Sequence, residues 1–109
     1  MPFHYEKLIV YQRALEFAAW SQILIDSLTK KTPTRDHLER AGDRIALNIA
    51  EGNGNFSLKD RSRFFQIAHG SVLESAACLD LFVARRCCER DAIASGKLTL
   101  EEMRRSSKR

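Results

Sequence analysis

Residues that interrupt regular structure are scarce in this sequence. Its 109 residues include two prolines, Pro2 and Pro33, and five glycines. The strong helix breakers lie near three positions. They are Pro33, the pair Gly52 and Gly54, and Gly96. These interruptions divide the chain into four segments, along which apolar residues recur at helical spacing.

Signals for export, membrane insertion and disulfide bonding are absent as well. Residues 1–7 contain no basic stretch followed by an apolar run, and nowhere do roughly 18 or more apolar residues run together. Cys78, Cys87 and Cys88 form no C-x-x-C pair, and the last two are expected to share a helix, where a mutual bond would be strained. We therefore expect a cytoplasmic protein with no membrane partner, whose thiols are reduced and structural.

The sequence also lacks the motifs of catalysis, metal binding and nucleotide binding. His4, His37 and His69 lie in different segments, and none has a second His or a Cys at helical ligand spacing. The glycines match neither a phosphate-binding loop nor a nucleophile elbow. Glu51 and Glu74 are the one conceivable acid–base pair, but no helper residues accompany them. The sequence predicts no enzyme, no catalytic residue, no metal and no cofactor.

The first segment, from about Tyr5 to Lys30, carries a very wide apolar face. One apolar line runs through Leu8, Tyr11, Leu15, Ala18, Gln22 and Ile25, and a second through Ala14, Phe17, Ser21, Leu24 and Leu28. A face of this width requires two neighbouring helices, or one helix and a second subunit. Tyr11, Phe17 and Trp20 are candidates for an oligomer interface, and the core is the alternative place for each.

The second segment has one apolar and one polar face. It begins after Pro33, with Thr34 as the expected N-cap, and ends at Gly52, a residue type that tolerates a left-handed cap. The expected buried line is Leu38, Ala41, Ile45 and Ile49, and the polar line is His37, Arg40, Arg44, Asn48 and Glu51. Residues 53–55 are expected to form a tight turn between two helices.

The third segment predicts a long helix. Ser57 and Asp60 resemble a capping box, and the helix is expected to run to about Arg90. Its apolar line is Phe65, Ala68, Val72, Ser75, Leu79, Phe82 and Arg86. Gly70 lies inside this helix, where glycine costs about 1 kcal/mol relative to alanine, so we expect a close neighbour there.

The fourth segment has few apolar residues at helical spacing. Thr99 and Glu102 repeat the capping spacing, which predicts a short helix over residues 100–108. Its few large apolar residues leave the extent of this helix open. Together the segments predict an all-α protein, an antiparallel up-down four-helix bundle in a single domain over residues 1–109, with a short or partial fourth helix.

The net charge of +4 is located in the last quarter of the chain. Residues 1–84 carry 10 Lys or Arg and 10 Asp or Glu, whereas residues 85–109 carry 8 basic and 4 acidic residues. The candidate nucleic-acid contacts are Arg85, Arg86, Arg90, Arg104 and Arg105, with Arg40 and Arg44 of the second segment. Such a basic end attracts polyanions through Coulomb forces and counterion release. A solubilising surface is the alternative, and composition does not choose between them.

Three stretches, in this order, resemble a known bacterial family. They are residues 5–14 (YEKLIVYQRA), residues 40–52 with NIAEG at their end, and residues 64–74 (FFQIAHGSVLE). The family is the four-helix-bundle family of 23S ribosomal RNA intervening sequences, S23 ribosomal protein-like, which includes the accessory variability determinant of diversity-generating retroelements. The likeness covers about residues 4–84. The chain departs from the family at Arg44 and Ala46, where Ser and Pro are frequent, and in its shorter final segment.

The resemblance implies an antiparallel bundle that assembles into a ring-like homopentamer with a basic surface. Retroelement members bind the reverse transcriptase and structured RNA. The resemblance also implies a set of structural motif residues: Asn48, Glu51, Gly52, Gly70, Ser71 and Glu74. We expect Asn48 and Glu51 to hydrogen-bond with Ser71 and Glu74 across the junction of the second and third helices.

Two functions follow from these observations. The first is a non-enzymatic, oligomeric scaffold that binds structured RNA through the basic surface. No aromatic residue follows Phe82, so base stacking and sequence specificity should be weak in the basic region. The second is a protein adaptor that docks a partner enzyme, such as a reverse transcriptase, without contacting nucleic acid.

Overall fold

The computed structural model describes residues 3–54 and 57–106. These residues fold into a four-helix bundle. A short 3₁₀ turn, His4–Lys7, precedes four helices in the described residues: α1 Ile9–Ser27, α2 Pro33–Asn53, α3 Leu58–Ala84 and α4 Arg90–Ser106. Each helix packs against the next one in the chain, and α4 packs back against α1. Short connections make successive helices antiparallel, so the predicted all-α up-down bundle is confirmed.

The core is built from most of the apolar lines that the sequence predicts, but the first line on α1 is wrong at Leu15 and Gln22, which are exposed. The buried positions of α1 and its C-terminal connection are Ala14, Phe17, Ser21, Leu24, Ile25 and Leu28, and those of α2 include Leu38, Ala41, Ile45 and Ile49. α3 adds Ala68, Val72, Ser75, Leu79 and Phe82. The line on α2 is therefore confirmed in full. On α3 it is confirmed except at its ends, where Phe65 is half-buried and Arg86 is exposed.

The helix ends differ from the predicted ones. The first segment is not one helix from Tyr5, because Leu8 is extended and separates the 3₁₀ turn from α1. The N-cap of α2 is Thr32 rather than Thr34, with Pro33 in the first helical position, where its missing N–H costs nothing. At α3, the Ser57 Oγ accepts a hydrogen bond from the Asp60 backbone N at 3.3 Å, as predicted. Residue 55 of the predicted turn and residues 107–108 of the predicted fourth helix lie outside the described residues.

Gly52 was predicted to end α2, but it lies inside the helix, which ends at Asn53. It is buried, and a Cβ atom there would lie 3.1 Å from the Phe64 Cβ and from the Phe65 ring. The missing side chain therefore lets α3 approach α2. The following Gly54 has a right-handed conformation, with φ −85°, so no left-handed cap is present at this end.

The fourth helix begins ten residues earlier than predicted, at Arg90, and is 17 residues long. Gly96, predicted as a breaker, is buried inside it. A Cβ atom at Gly96 would overlap the six-membered ring of Trp20. Glycine is thus required at this position because the indole of α1 lies against the α4 backbone. This contact replaces the large apolar side chains that the fourth segment lacks.

α3 ends at Ala84 in a Schellman motif rather than continuing to Arg90. The Cys87 N–H donates to the Phe82 carbonyl at 2.8 Å, and the Arg86 N–H donates to the Val83 carbonyl at 3.0 Å. Arg86 has φ 60° and is the one non-glycine residue with positive φ in the described part of the chain. This left-handed position is usually taken by glycine, so Arg86 carries a backbone cost.

Gly70 was predicted to have a close neighbour, and within this chain that prediction is wrong. A Cβ atom at Gly70 would meet no heavy atom within 4 Å, and the residue is exposed on α3.

Helix α3 is long and apolar enough to cross a membrane by length and composition alone, although core helices of soluble proteins pass the same test.

We predict that Gly96→Ala lowers the free energy of unfolding by about 2 kcal/mol, because the added methyl group overpacks against Trp20. Gly42→Ala is the matched control, since a Cβ atom at Gly42 meets nothing within 4 Å. That control should gain up to about 1 kcal/mol from better helix propensity. Urea denaturation of both variants measures the difference, and equal stabilities would contradict the assigned contact.

We predict that Arg86→Gly raises the free energy of unfolding by about 0.5 to 1 kcal/mol, because it removes the left-handed strain. Arg85→Gly removes the same charge at a residue with φ −89°, where glycine brings no such relief. It should therefore not stabilise the protein. Thermal and urea unfolding check both variants, and a loss of stability at position 86 equal to that at 85 would refute the explanation.

Candidate nucleic-acid interface

The basic residues of the last quarter do not form one surface. Arg85 and Arg86 lie in the α3–α4 connection and Arg90 begins α4, whereas Arg104 and Arg105 lie in its last turn. Arg104 follows Arg90 by fourteen helical steps, a distance of about 21 Å. The predicted cluster is thus divided between the two ends of the bundle.

At one end, cations from two connections come together. Lys30 follows α1, and its Nζ donates to the backbone carbonyl of Arg85 at 3.2 Å. We call Lys30, Arg85, Arg86 and Arg90 the basic turn. All four side chains are exposed. None of them forms an ion pair with a carboxylate of the described residues, so their charges are available to a ligand. Sequence analysis missed Lys30, because only the antiparallel arrangement places the first connection beside the third.

At the other end, the arginines of α1 and of the last turn of α4 are partly paired with carboxylates, whereas the cations at the start of α3 form no ion pair among the described residues. Arg104 Nε donates to Glu101 Oε2 at 2.9 Å, and this hydrogen bond, with the carboxylate charge, raises the pKa of Arg104 above its ordinary value. Arg13 forms an ion pair with Glu102 at 2.8 Å, which joins α1 to α4. Arg105 is exposed beside this network. Of the two arginines predicted to contact nucleic acid at this end, Arg105 is therefore the one whose charge is available to a ligand.

The two predicted arginines of α2 have different surroundings. Arg44 Nη2 lies 2.7 Å from Glu74 Oε1, and its Nε lies 3.4 Å from Ser71 Oγ. Arg44 thus links α2 to α3. Arg40 is exposed, with its Nη2 3.4 Å from His37 Nδ1, and has no ion-pair partner among the residues described.

The motif residues are partly arranged as predicted. Ser71 and Glu74 do take part in contacts across the α2–α3 junction, but their partner is Arg44. Asn48 instead donates through Nδ2 to the Arg44 carbonyl of its own helix at 2.8 Å. Glu51 is exposed on the last turn of α2. The junction is therefore bridged by Arg44, whose guanidinium contacts both Ser71 and Glu74.

The aromatic residues predicted for an oligomer interface pack against other residues of the same chain. Phe17 is 1% exposed and lies in the core. Trp20 packs against Phe17 and Gly96, and Tyr11 packs edge-on against Tyr5 with ring centroids 4.9 Å apart. Phe17 offers no surface to a second subunit, and the other two are half-buried. The exposed large apolar residues of α1 are instead Ile9, Leu15 and Ile23.

Two of the three thiols, those of Cys78 and Cys88, lie in surroundings that disfavour the nucleophilic thiolate. Burial, then the charge of Glu74, raises the pKa of Cys78. Burial also raises the pKa of Cys88, with smaller effects from Cys87 and Glu89. Cys87 and Cys88 lie in the α3–α4 connection, not in a helix as predicted. Among the described residues no three His, Cys, Asp or Glu side chains form a metal-binding group.

A cavity of about 220 Å³ lies at the end of the bundle opposite the basic turn. Its walls are mainly apolar, with Asn53, Arg61, His69 and Ser106 as the polar lining. The lining does not include the carboxylate pair Glu51 and Glu74.

Comparisons with known proteins agree with this fold. One solved structure, of a protein of unknown function from the S23 ribosomal protein family of Bacteroides thetaiotaomicron, has a TM-score of 0.84 and 22% identity. The alignment covers 91% of this chain and 94% of that one. At this identity the likeness concerns the fold. No curated protein matches the chain.

The sequence itself carries the family signature over almost its whole length. A family model described as 23S rRNA-intervening sequence protein matches residues 6–108, which extends the resemblance beyond the three motifs into the fourth helix. Neither this description nor that of the structural relative names a catalytic activity. The chain belongs to the 23S rRNA-intervening sequence protein family.

Proposed function

We propose that this protein is a non-enzymatic scaffold that binds structured RNA through the basic turn. The observation that carries the proposal is the convergence of four exposed cations without ion-pair partners from two connections, Lys30 and Arg85, Arg86 and Arg90. Each phosphate that such a group neutralises releases condensed counterions, which is the main source of affinity in non-specific binding. The family description refers to intervening sequences of 23S rRNA, which makes structured RNA the first polyanion to test.

The basic turn is suited to phosphates rather than to bases. Arginine and lysine contact the backbone of any sequence, and no aromatic residue follows Phe82 to stack on a base. Arg86 occupies a left-handed position that favours glycine, so the chain keeps an arginine there at the expense of stability. Binding should therefore respond to RNA shape and salt more than to sequence.

Self-assembly would raise the affinity of such a site. One basic turn makes few phosphate contacts, whereas a homo-oligomer repeats it and adds the contacts through multivalency. We propose a homo-oligomer, with the pentamer that the family resemblance implies. The free thiols agree with the reducing cytoplasm as its location.

The second candidate is a protein adaptor that docks a partner enzyme such as a reverse transcriptase. It is favoured by apolar side chains along the outside of α3, where Ile67, Leu73 and Leu81 are 40%, 51% and 42% exposed. Exposed apolar groups of this size are typical of protein interfaces when they lie close together.

We predict that the triple variant Arg85→Ala, Arg86→Ala, Arg90→Ala binds structured RNA at least about tenfold more weakly at moderate salt. The slope of log affinity against log salt should become shallower by about 2 to 3, one for each lost phosphate contact. Fluorescence titration at several salt concentrations measures both quantities.

The matched control is Lys59→Ala, Arg61→Ala, Arg105→Ala, which removes the same charge from the opposite end of the bundle. It should keep most of the affinity and of the salt slope. Circular dichroism establishes that both variants are folded. A folded basic-turn variant with unchanged affinity and slope would refute RNA binding at this site and favour the adaptor.

A further inference from the structure

The cavity opposite the basic turn, which we call the end cavity, is built by all four helices. Its apolar lining within the helices consists of Val10, Ile49, Phe65, Ala68, Val72 and Met103. Its volume of about 220 Å³ exceeds that of the roughly 150 Å³ apolar cavity that holds one benzene molecule. The end cavity is therefore large enough for one aromatic ring with a short side chain.

Most of the polar lining lies at the mouth of the end cavity. Antiparallel packing brings the end of α2, the start of α3 and the end of α4 to the same end of the bundle. The polar lining residues in these terminal turns are Asn53, Arg61 and Ser106. The lining residues one turn further into the bundle are Ile49, Phe65 and Met103. A polar mouth above an apolar floor is the arrangement of a site for an amphipathic small molecule.

The mouth is positively charged, and the described lining contains no carboxylate. Arg61 is half-buried, and its guanidinium forms no ion pair with a carboxylate of the described residues. Partial burial strengthens the attraction between a cation and an anion, because less water screens it. A guanidinium also matches a carboxylate in shape, since the two groups can form two parallel hydrogen bonds. Arg61 therefore favours a carboxylate as the head group of a ligand.

Two other polar groups at the mouth are already engaged within the chain. Asn53 Nδ2 lies 3.0 Å from His4 Nδ1, which ties the 3₁₀ turn to the end of α2. Ser106 Oγ donates to the Glu102 carbonyl at 3.0 Å, so its proton is not available to an anion. With one arginine as the cation at the mouth, the matching ligand carries one negative charge.

The floor of the end cavity suits an aromatic body. Phe65 offers its ring, and Met103 offers a thioether that packs favourably at the edge of an aromatic ring. Ala68 is small and buried, so α3 leaves space beside them.

We propose that the end cavity binds a small aromatic monocarboxylate, with its ring beside Phe65 and Met103 and its carboxylate on Arg61. This site goes beyond the proposed function, because it lies at the opposite end of the bundle from the basic turn and takes a different class of ligand. Helices α2, α3 and α4 all contact the bound molecule, so binding should stabilise the folded bundle.

The test uses 3-phenylpropionate as the probe and 3-phenylpropanamide as its neutral isostere. Calorimetric titration of the full chain measures both dissociation constants. We expect a value on the order of 0.1 to 1 mM for the acid, as for other ligands of this size. The amide should bind at least about tenfold more weakly, because it cannot form the charge-assisted pair with Arg61.

Arg61→Gln tests the head group. It should weaken the acid to the affinity of the amide and leave the amide unchanged, which separates lost charge recognition from a damaged fold. The matched control is Arg63→Gln, which removes the same charge two residues further along α3, at an exposed position outside the lining. This control should leave both dissociation constants unchanged.

Ala68→Leu tests the floor. The larger side chain should occupy the end cavity and abolish binding of both probes, without lowering the urea midpoint, because filling a cavity is commonly stabilising. Backbone amide NMR of the wild type locates the bound probe, and the largest shifts should fall on residues 49–53, 61–72 and 103–106.

Three results would overturn the proposal. Absence of saturable binding of 3-phenylpropionate up to about 10 mM would show that the end cavity is not a site for this class of ligand. Equal dissociation constants for acid and amide, or equal effects of Arg61→Gln and Arg63→Gln, would show that Arg61 does not hold the head group. Shifts centred on the basic turn would show non-specific attraction of an anion to exposed arginines.

Discussion

The packing of the Trp20 indole against Gly96 is the contact on which the rest of the structure depends. The fourth segment has few large apolar residues, and Ile93, Leu100 and Met103 supply its buried side chains. The indole of α1 fills the space that a side chain at position 96 would need, and α4 can therefore lie along α1 over its full length. This closes the bundle and fixes the start of α4 beside the end of α3. Arg90 is thereby held near Arg85 and Arg86.

The bundle was predictable because its core follows simple spacing, and the errors have a common cause. Leu38, Ile45 and Ile49 face inward at the spacing that the sequence predicts. Gly52 and Gly96 were interpreted as helix ends, whereas both are sites where another helix comes close. Whether a glycine ends a helix or receives a neighbour depends on which element packs beside it. A single sequence does not contain that information.

The location of the charge was predictable, but its pairing was only partly so. The ion pair of Arg104 with Glu101 follows from their spacing on one helix. The bond from Arg44 to Glu74 depends on the rotation of α2 against α3, which periodicity leaves open. The same holds for Lys30, which joins the site only because two connections meet at one end. The meeting of two connections at one end, rather than the number of basic residues, thus defines the candidate interface.

The central claim is that the basic turn is where this family member contacts RNA, and residue-resolved binding tests it most directly. A titration of the isotopically labelled protein with a structured RNA, followed by backbone amide NMR, reports which residues change environment. The account predicts that the largest shifts fall on Lys30 and residues 85–90, fade as salt is added, and leave the paired Arg44 and Arg104 little affected. Shifts centred on the last turn of α4 or on the outer face of α2, with the basic turn unchanged, would contradict it.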